Sequence, residues 1–273
     1  MSDPPSSSDT LLHGRLALRQ PARGHRVNLD AVLLAAFDAT CRPRAPTPAP
    51  GPAFPVAADL GAGTGAVALL LRHAGVVGRC LLLEAEPTLA ELARDNVAAN
   101  RMTPALEVLC ADLRSPLPAA WLARCDLVVA NPPYRSLGTG KPSPDALRAA
   151  ARYELRGGLP EFAAAAGALL RPDATFALIC PWRRRAAALA ALAGAGLAPR
   201  RERLHRPHAG TPPVTVCLEA VRGTSADPPV REELMLHAPG RRFSDAVERY
   251  NDGDYDDDVR SSASPIAPAR TTR

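Results

Sequence analysis

Long hydrophobic runs are missing from this sequence of 273 residues. None approaches the roughly 18 consecutive apolar residues of a transmembrane helix, so the sequence predicts no membrane span. The amino terminus, MSDPPSSS, has neither the basic segment nor the apolar segment of a secretory signal peptide. We therefore expect a cytoplasmic protein.

Metal-binding and disulfide patterns are missing as well. None of the six cysteines stands in a Cys-x-x-Cys pair, and most of them lie within or beside apolar runs. In a reducing cytosol such cysteines are usually small buried hydrophobic residues. We expect no disulfide framework, no zinc site and no metal in the protein's chemistry.

Lysine is nearly absent, since Lys141 is the only lysine among 33 basic residues. The net charge is +5, and it is unevenly distributed. Residues 141–206 carry 12 basic and 5 acidic side chains, whereas the segment from Asp245 onward carries 7 acidic and 4 basic ones. GC-rich coding can account for the arginine bias, but a basic middle segment also permits binding to nucleic acid or another polyanion.

Short apolar segments alternate with amphipathic segments along most of the chain. Strands are predicted within 11–20 and over 56–60, 80–83, 106–110, 126–130, 175–180, 197–203, 214–221 and 233–237, and helical segments over 28–37, 66–73, 88–100, 160–170, 183–195 and 244–250. Fully apolar short strands that alternate with helices indicate a parallel sheet covered on both faces. The sequence thus predicts an α/β fold with a doubly wound, mostly parallel sheet of seven strands, closed by an antiparallel pair.

Changes in composition divide the chain into regions. Six prolines fall between Pro43 and Pro55, and the hydrophobic density drops after Arg222. The expected regions are a disordered start (1–10), an N-terminal substrate-side extension with a proline-rich linker (11–55), a central domain (56–222), a C-terminal edge extension (223–250) and a disordered tail (251–273).

A glycine-rich turn connects the strand at 56–60 to the helix that follows it. Asp59, Gly61, Gly63 and Gly65 belong to this turn, whose glycines let the backbone approach a ligand closely in front of a helix N-terminus. Glu84 ends the next strand, about 20 residues on, where a carboxylate can bind ribose hydroxyls. Together these features indicate an adenosine-containing cofactor.

Two cofactors of this kind differ in charge. NAD carries a pyrophosphate, whereas S-adenosylmethionine carries a cationic sulfonium and an α-amino group. Asp59, at the end of the strand, suits such a cation better than it suits a diphosphate. Asp112, after the third strand of the alternation, is placed to accept a hydrogen bond from the adenine amino group, although an aspartate there can also serve as an ordinary turn residue.

A second motif, Asn131-Pro132-Pro133-Tyr134, follows the strand at 126–130. It lies at the carboxyl edge, where open α/β sheets bind ligands. Two prolines fix an extended backbone that directs the Asn131 side chain and the Pro132 carbonyl into the cleft. These two acceptors would hold the hydrogens of an amide or exocyclic amino nitrogen and aim its lone pair at a methyl group. Tyr134 would stack on a planar substrate such as an extruded base, with Pro133 and Arg135 beside it.

These motifs resemble those of class I S-adenosylmethionine-dependent amino methyltransferases. Within that class the chain is most similar to the bacterial valine-tRNA adenine-37 N6-methyltransferases, from about Leu16 to Val221 and including the segment 142–154. The resemblance implies a Rossmann-like enzyme with S-adenosylmethionine as cofactor and the anticodon loop of a tRNA as substrate. It also implies that Asp30 helps to close the cofactor pocket, although helix capping suits this residue equally well. Tyr153 departs from the family, since many relatives have His there.

Three alternatives stay open. A protein glutamine N5-methyltransferase of the release-factor type would use the same chemistry, but its relatives usually carry a helical N-terminal domain, for which about 55 residues before the central domain are too few. An NAD-dependent oxidoreductase or a catalytically inactive RNA-binding module would share parts of the pattern. Trp182 and the arginines at 183–185 could contact RNA, although such a run is more often a solvated helix start. His205, Arg206 and His208 have no ligand-like spacing, and the sequence indicates no oligomeric state.

Overall fold

A computed structural model of the protein describes residues 6–22, 26–40, 51–133, 157–223 and 228–255. Its strands are β1 (Ser6–Leu11), β2 (Leu16–Pro21), β3 (Phe54–Leu60), β4 (Val77–Glu84), β5 (Leu106–Cys110), β6 (Cys125–Ala130), β7 (Leu170–Pro181), β8 (Leu197–Arg206), β9 (Thr215–Arg222) and β10 (Val230–Met235). Its α-helices are α1 (Leu29–Ala39), α2 (Ala66–His73), α3 (Pro87–Ala99), α4 (Leu159–Leu169), α5 (Arg185–Gly194) and α6 (Asp245–Asn251).

The central sheet has eight strands in the order β10-β8-β9-β7-β6-β3-β4-β5. Only β9 runs antiparallel to its neighbours, β7 and β8. All other adjacent strands are parallel. The predicted mostly parallel sheet and its closing antiparallel pair are therefore confirmed, and β10 adds an eighth strand to the seven of the central domain.

Helices cover both faces of this sheet, as the apolar strands predict. On one face α1, α2 and α6 pack into a buried cluster that includes Phe37, Leu69 and Val247. On the other face α4 and α5 pack into a second cluster that includes Phe162, Phe176 and Leu192. Because both faces of these strands are covered, polar residues that bind ligands are expected at the carboxyl ends of the parallel strands. The predicted motifs lie at these ends.

The start of the chain differs from the sequence prediction. Instead of disorder up to residue 10, residues 6–10 lie in β1, which forms an antiparallel hairpin with β2. The sequence did not predict this strand because β1 is rich in serine and contains an aspartate. The buried side chains of the hairpin, including Leu16 and Leu18, belong to its partner β2. The strand β3 likewise begins at Phe54, inside the segment that the prolines marked as linker.

The end of the chain also differs in part. A helical turn at 244–250 is confirmed by α6, whose N-cap Ser244 accepts a hydrogen bond from the Val247 N–H at 3.3 Å. Residues 251–255, predicted to belong to a disordered tail, pack instead on the domain: Tyr255 is buried, and its ring centroid lies 6.2 Å from that of Tyr250. Residues 256–273 lie outside the described ranges.

One buried amide joins the N-terminal hairpin to the rest of the domain. Asn96, in α3, is fully buried, and its Nδ2 donates to the Arg19 carbonyl of β2 and to the Thr64 carbonyl, each at 2.9 Å. Its Oδ1 accepts from the Arg19 N–H at 2.6 Å. Asn100, one turn later, pairs in the same way with Ala17. The hairpin, α3 and the glycine turn are thus fixed to one another.

No helix in the described part of the chain is long and apolar enough to cross a membrane. Within the same residues no group of three or more His, Cys, Asp or Glu side chains is placed to hold a metal ion. The five cysteines described are free thiols, and four of them are buried, the exception being Cys110.

Candidate functional site

The glycine turn lies between β3 and α2, at the carboxyl edge of the sheet. Gly61, Gly63 and Gly65 all have positive φ angles, of 65°, 58° and 84°. A Cβ on Gly61 would lie 3.0 Å from Cζ of Phe162, and one on Gly65 would lie 3.0 Å from Cδ2 of Leu82, so neither position has room for a side chain. No atom lies within 4 Å of the corresponding point at Gly63. The middle glycine therefore faces open space.

Glu84, the last residue of β4, holds this turn through its carboxylate. Oε2 accepts a hydrogen bond from the Gly63 N–H at 2.8 Å, and Oε1 accepts one from the Glu86 N–H at 2.8 Å. Burial raises the pKa of Glu84, while the two N–H donors oppose that shift. Each carboxylate oxygen can accept more than one hydrogen bond, so the same group can still receive a ligand hydroxyl.

Asp59 lies near the end of β3, beneath the glycine turn, and is 2% exposed. Its Oδ2 accepts a hydrogen bond from the Ala68 N–H in the first turn of α2 at 3.3 Å. Burial raises the pKa of Asp59 to about 7, and the negative charge of Glu84 contributes to the shift. A cationic ligand group in the cleft would oppose both effects and favour the ionised carboxylate.

One cleft brings these residues together with the second motif. Its lining includes the glycine turn, Asp59, Glu84, Asn131 and Pro133. Asn131 directly follows β6, and β6 is the neighbour of β3 in the sheet, so the two motifs leave adjacent strands. Pro132 is buried below this point. The predicted juxtaposition of the two motifs at one edge is therefore present.

The N-terminal extension supplies another part of the cleft wall. Val27, Asn28 and Ala31 line it, and the Asn28 Oδ1 caps α1 by accepting a hydrogen bond from the Asp30 N–H at 3.1 Å. Asp30 itself is not among the lining residues; its Oδ2 accepts from the Asn28 Nδ2 at 3.0 Å. The N-cap of α1 is therefore Asn28, which also borders the cleft, whereas the Asp30 carboxylate binds the Asn28 side chain. The role of Asp30 in closing the cofactor pocket stays a prediction.

Asp112 occupies a turn, which was the alternative interpretation of this residue. Its carboxylate accepts from the backbone N–H of Arg114 at 2.9 Å and forms an ion pair with the guanidinium of Arg114 at 2.6 Å. Its neighbours Ala111 and Leu113 line the cleft, whereas Asp112 does not. Its carboxylate oxygens can accept further hydrogen bonds, so the contact of Asp112 with an adenine amino group stays a prediction.

Two of the predicted site residues, Tyr134 and Arg135, lie outside the described ranges. The segment 142–154, which carries part of the family resemblance, lies outside them too. The sequence arguments for these residues stay predictions.

Three residues of the site were not found from the sequence. Phe162, buried in α4, lines the cleft, and its ring lies 3.0 Å from the point that a Cβ on Gly61 would occupy. Thr64, inside the glycine turn, is buried, lines the cleft and has a side-chain hydroxyl without a hydrogen-bond partner among the described residues. Asn96 supports the turn from behind. Of these three residues, only Asn96 could have been singled out from the sequence, because it is an amide on the apolar face of an amphipathic helix.

A family model describes part of the chain. Residues 50–158 match the methyltransferase small domain, a range that contains the glycine turn, Glu84 and the Asn-Pro-Pro-Tyr motif. The matched range begins just before β3 and ends just before α4, so it spans β3 to β6 of the sheet.

Curated relatives with similar sequences are tRNA1(Val) (adenine(37)-N6)-methyltransferases. The protein from Porphyromonas gingivalis strain W83 is 32% identical over 158 residues, which are 57% of this chain and 58% of that protein. The protein from Parabacteroides distasonis is 26% identical over 237 residues, which are 86% of this chain and 90% of that protein. The chain thus spans just over half of the first relative and most of the second.

Solved structures share the fold. A predicted O-methyltransferase from Agrobacterium tumefaciens superposes with a TM-score of 0.61 at 24% identity, covering 82% of this chain and 96% of that one. Pyrococcus horikoshii TYW2 in complex with MeSAdo superposes with a TM-score of 0.53 at 14% identity, covering 82% and 73%. These solved structures show that the chain has a methyltransferase fold, and residues 50–158 are similar to the methyltransferase small domain.

Proposed function

We propose that this protein is an S-adenosylmethionine-dependent methyltransferase that methylates the N6 amino group of an adenine in tRNA. One observation carries the proposal: a single cleft is lined by the glycine turn, by the acids Asp59 and Glu84, and by Asn131 of the Asn-Pro-Pro-Tyr motif. A proposed cofactor site and a proposed acceptor for an amino nitrogen therefore line the same cleft. An oxidoreductase has no use for the second motif.

The cleft fits S-adenosylmethionine in shape and charge. The open space at Gly63 and the free hydroxyl of Thr64 offer room and a donor for the polar end of the cofactor. The buried Asp59 would hold its cationic amino group, and Glu84 would accept hydrogen bonds from its ribose hydroxyls. When bound, the cofactor supplies a methyl group on a sulfonium; transfer to an amino nitrogen releases S-adenosylhomocysteine and a proton.

Asn131 and the Pro132 carbonyl have to overcome the weak nucleophilicity of the substrate. The lone pair of an adenine amino group is delocalised into the ring, so the nitrogen is a poor nucleophile while it is planar. Two acceptors that hold its two hydrogens favour a pyramidal nitrogen with its lone pair aimed at the methyl group. Positioning of this kind can supply most of the rate enhancement, because it removes the entropic cost of bringing two groups together.

Tyr134, Pro133 and Arg135 would hold the base. An adenine in a loop is already partly unstacked, so its extrusion costs little, and an aromatic ring beside Asn131 would replace the lost stacking. Pro133 lines the cleft, and Tyr134 is the next residue in the sequence. We assign the base-stacking role to Tyr134 on this basis.

A tRNA substrate is supported by the names of the sequence relatives and by charge. Those relatives act on adenine 37 of tRNA1(Val). The basic excess within residues 141–206 suits a polyanion better than a protein loop. A substrate of this kind supports the expectation of a cytoplasmic enzyme.

The proposal is tested by incubating the purified protein with methyl-labelled S-adenosylmethionine and bulk tRNA from a strain that lacks the gene. We expect label in the tRNA fraction, and activity that falls steeply with added salt, because phosphate contacts release counterions. Asn131→Ala is the inactive control. If label enters release factor and no RNA fraction, the enzyme is a protein glutamine methyltransferase. If NAD binds and S-adenosylhomocysteine does not, the cofactor assignment is wrong.

A further inference from the structure

The edge of the sheet that carries the cleft continues across β7, β9, β8 and β10; β7, β8 and β10 end at this edge, whereas the antiparallel β9 begins there. The residues at these strand ends lie side by side: the Trp182 N–H donates to the Val214 carbonyl at 2.9 Å, and the Val214 N–H donates to the His205 carbonyl at 2.9 Å. The Leu236 N–H donates to the Arg206 carbonyl at 2.8 Å. A continuous row of backbone therefore runs along the edge on which Asn131 lies.

Three rings line the far end of this row. The ring centroids of His208 and His237 lie 5.3 Å apart, and those of His237 and Phe243 lie 6.0 Å apart with only 13° between the ring planes. The guanidinium of Arg242 lies 5.1 Å from the centroid of Phe243. His237 and Phe243 are half-buried, whereas His208 is exposed. The two inner rings are therefore held by packing, and the His208 ring is accessible to a ligand.

A tryptophan is held in place at the near end of the row. Trp182 directly follows β7, and the guanidinium of Arg185 lies 5.5 Å from its ring centroid. Arg185 is itself fixed by the buried Glu202, whose Oε2 accepts from Arg185 Nε at 2.9 Å. Because Arg185 is fixed in this way, the Trp182 ring is held at the edge, next to the strand that carries Asn131.

Two cations of this edge lack a carboxylate partner within the described ranges. Arg183 and Arg242 are exposed and form no ion pair with any described residue, although Arg241 pairs with Asp245 and Arg206 pairs with Glu233. Guanidinium groups without a carboxylate partner, close to partly exposed aromatic rings, are the combination that binds phosphates and unstacked bases. The surface is therefore complementary to single-stranded RNA.

We infer that this edge binds the loop nucleotides that flank the target adenine, a conclusion that rests on the proposed function. The surface, which we call the edge platform, consists of Trp182, Arg183, His208, His237, Arg242 and Phe243. Four strand spacings of about 4.8 Å place β10 roughly 19 Å from β6, so the platform reaches several nucleotides from the cleft. Phosphates bind to the two arginines, and a base stacks on His208.

The first test replaces the two free cations. Arg183→Ala/Arg242→Ala raises the Kd for tRNA at least about tenfold. It also makes the slope of log affinity against log salt shallower by about 1.4, since each single-strand phosphate contact contributes about 0.7. The Kd for S-adenosylhomocysteine and the kcat at saturating tRNA stay within about twofold of the wild type. The matched control is Arg124→Ala, because Arg124 is an exposed arginine at the opposite edge of the sheet, also without a described carboxylate partner.

The second test separates stacking from charge. His208→Ala removes an exposed ring, so it does not endanger folding; it raises the Kd for tRNA about fivefold or more and leaves the salt slope unchanged. The platform is wrong if both variants bind and methylate tRNA like the wild type, with the same salt slope. If the wild type itself neither binds nor methylates tRNA, the proposed function fails and the platform with it. Methylation by the wild type thus distinguishes the two failures.

Discussion

The carboxylate of Glu84 accepts a hydrogen bond from the backbone N–H of Gly63 at 2.8 Å. The acid assigned to the ribose hydroxyls therefore also holds the glycine turn in its open shape, with Glu86 bound to its other oxygen. Cofactor binding and the conformation of the turn depend on one side chain. A change at Glu84 consequently affects the site even before a ligand enters.

The first prediction concerns this double role. Glu84→Ala weakens binding of S-adenosylhomocysteine by about 1.5–3 kcal/mol for the lost charged acceptor, and by more if the turn moves. It also lowers the melting temperature of the ligand-free protein, because two backbone N–H groups lose their partner. Calorimetry and thermal unfolding measure the two effects. Glu91→Ala, which removes an exposed carboxylate from α3, is the control. An unchanged melting temperature for Glu84→Ala contradicts the structural half of the prediction.

The second prediction concerns the pH dependence of cofactor binding. Since burial raises the pKa of Asp59 to about 7, this carboxyl is partly protonated near neutral pH in the free protein. A cationic amino group binds the ionised form, so affinity for S-adenosylhomocysteine rises as pH increases toward 7 and levels off above it. Binding below pH 7 releases a proton. Titrations in buffers of different ionisation enthalpy measure that release, and Asp59→Asn binds more weakly with no such release. Equal proton release by the variant and the wild type rules out this role.

The third prediction concerns Asn131. Asn131→Ala lowers kcat by about a hundredfold or more, because the amino nitrogen loses an acceptor and its position. The Kd for S-adenosylhomocysteine stays near the wild-type value, since Asn131 faces the substrate. Asn131→Asp keeps an acceptor oxygen and retains part of the rate. Steady-state assays at saturating tRNA give kcat, and single-turnover assays give the rate constant of methyl transfer itself. A near wild-type rate for Asn131→Ala in both means that the acceptor model is wrong.

The fourth prediction concerns Asp38, a carboxyl group that is not among the residues lining the cleft. Asp38, at the end of α1, is fully buried, and neither of its oxygens has a hydrogen-bond partner among the described residues. Burial raises its pKa well above the usual value, while the charge of Arg201 partly offsets this. The folded state therefore binds a proton that the unfolded state releases above pH 4, and stability falls as pH rises.

Asp38→Asn removes that pH dependence. The variant gains stability relative to the wild type at pH 8, by about 1–3 kcal/mol, and the gain shrinks toward pH 4. Urea unfolding at several pH values measures it. A constant difference between the two proteins at every pH would mean that Asp38 does not titrate in this way.

Most of the fold could be predicted from the sequence because the central strands are apolar and because turn residues separate them from the helices. Strands such as Leu106–Cys110 and the helix cap at Asn28 follow from local pattern alone. β1 could not be found in this way, because its sequence is polar and its stability comes from pairing with β2 across a short turn. Tyr255 lies in an acidic run whose composition predicts disorder. Its packing beside Tyr250 is a tertiary contact that local sequence does not indicate.

The site was predictable to the extent that its residues follow strands. Asp59, Glu84 and Asn131 each stand at a strand end, and parallel strands bring their ends to one edge. Phe162 and Asn96 come from helices, and nothing in their spacing relates them to the glycine turn. Asp112 and Asp30 were assigned from their place in a pattern, whereas their hydrogen bonds to Arg114 and Asn28 depend on local backbone geometry.

We propose that the protein methylates an adenine N6 in tRNA. Mass spectrometry of nucleosides from total tRNA, purified from cells with and without the gene, tests it most directly. We expect N6-methyladenosine to decrease in the strain without the gene, to return with the wild-type gene and not to return with the gene for Asn131→Ala. An unchanged amount of N6-methyladenosine in all of these strains would contradict the account.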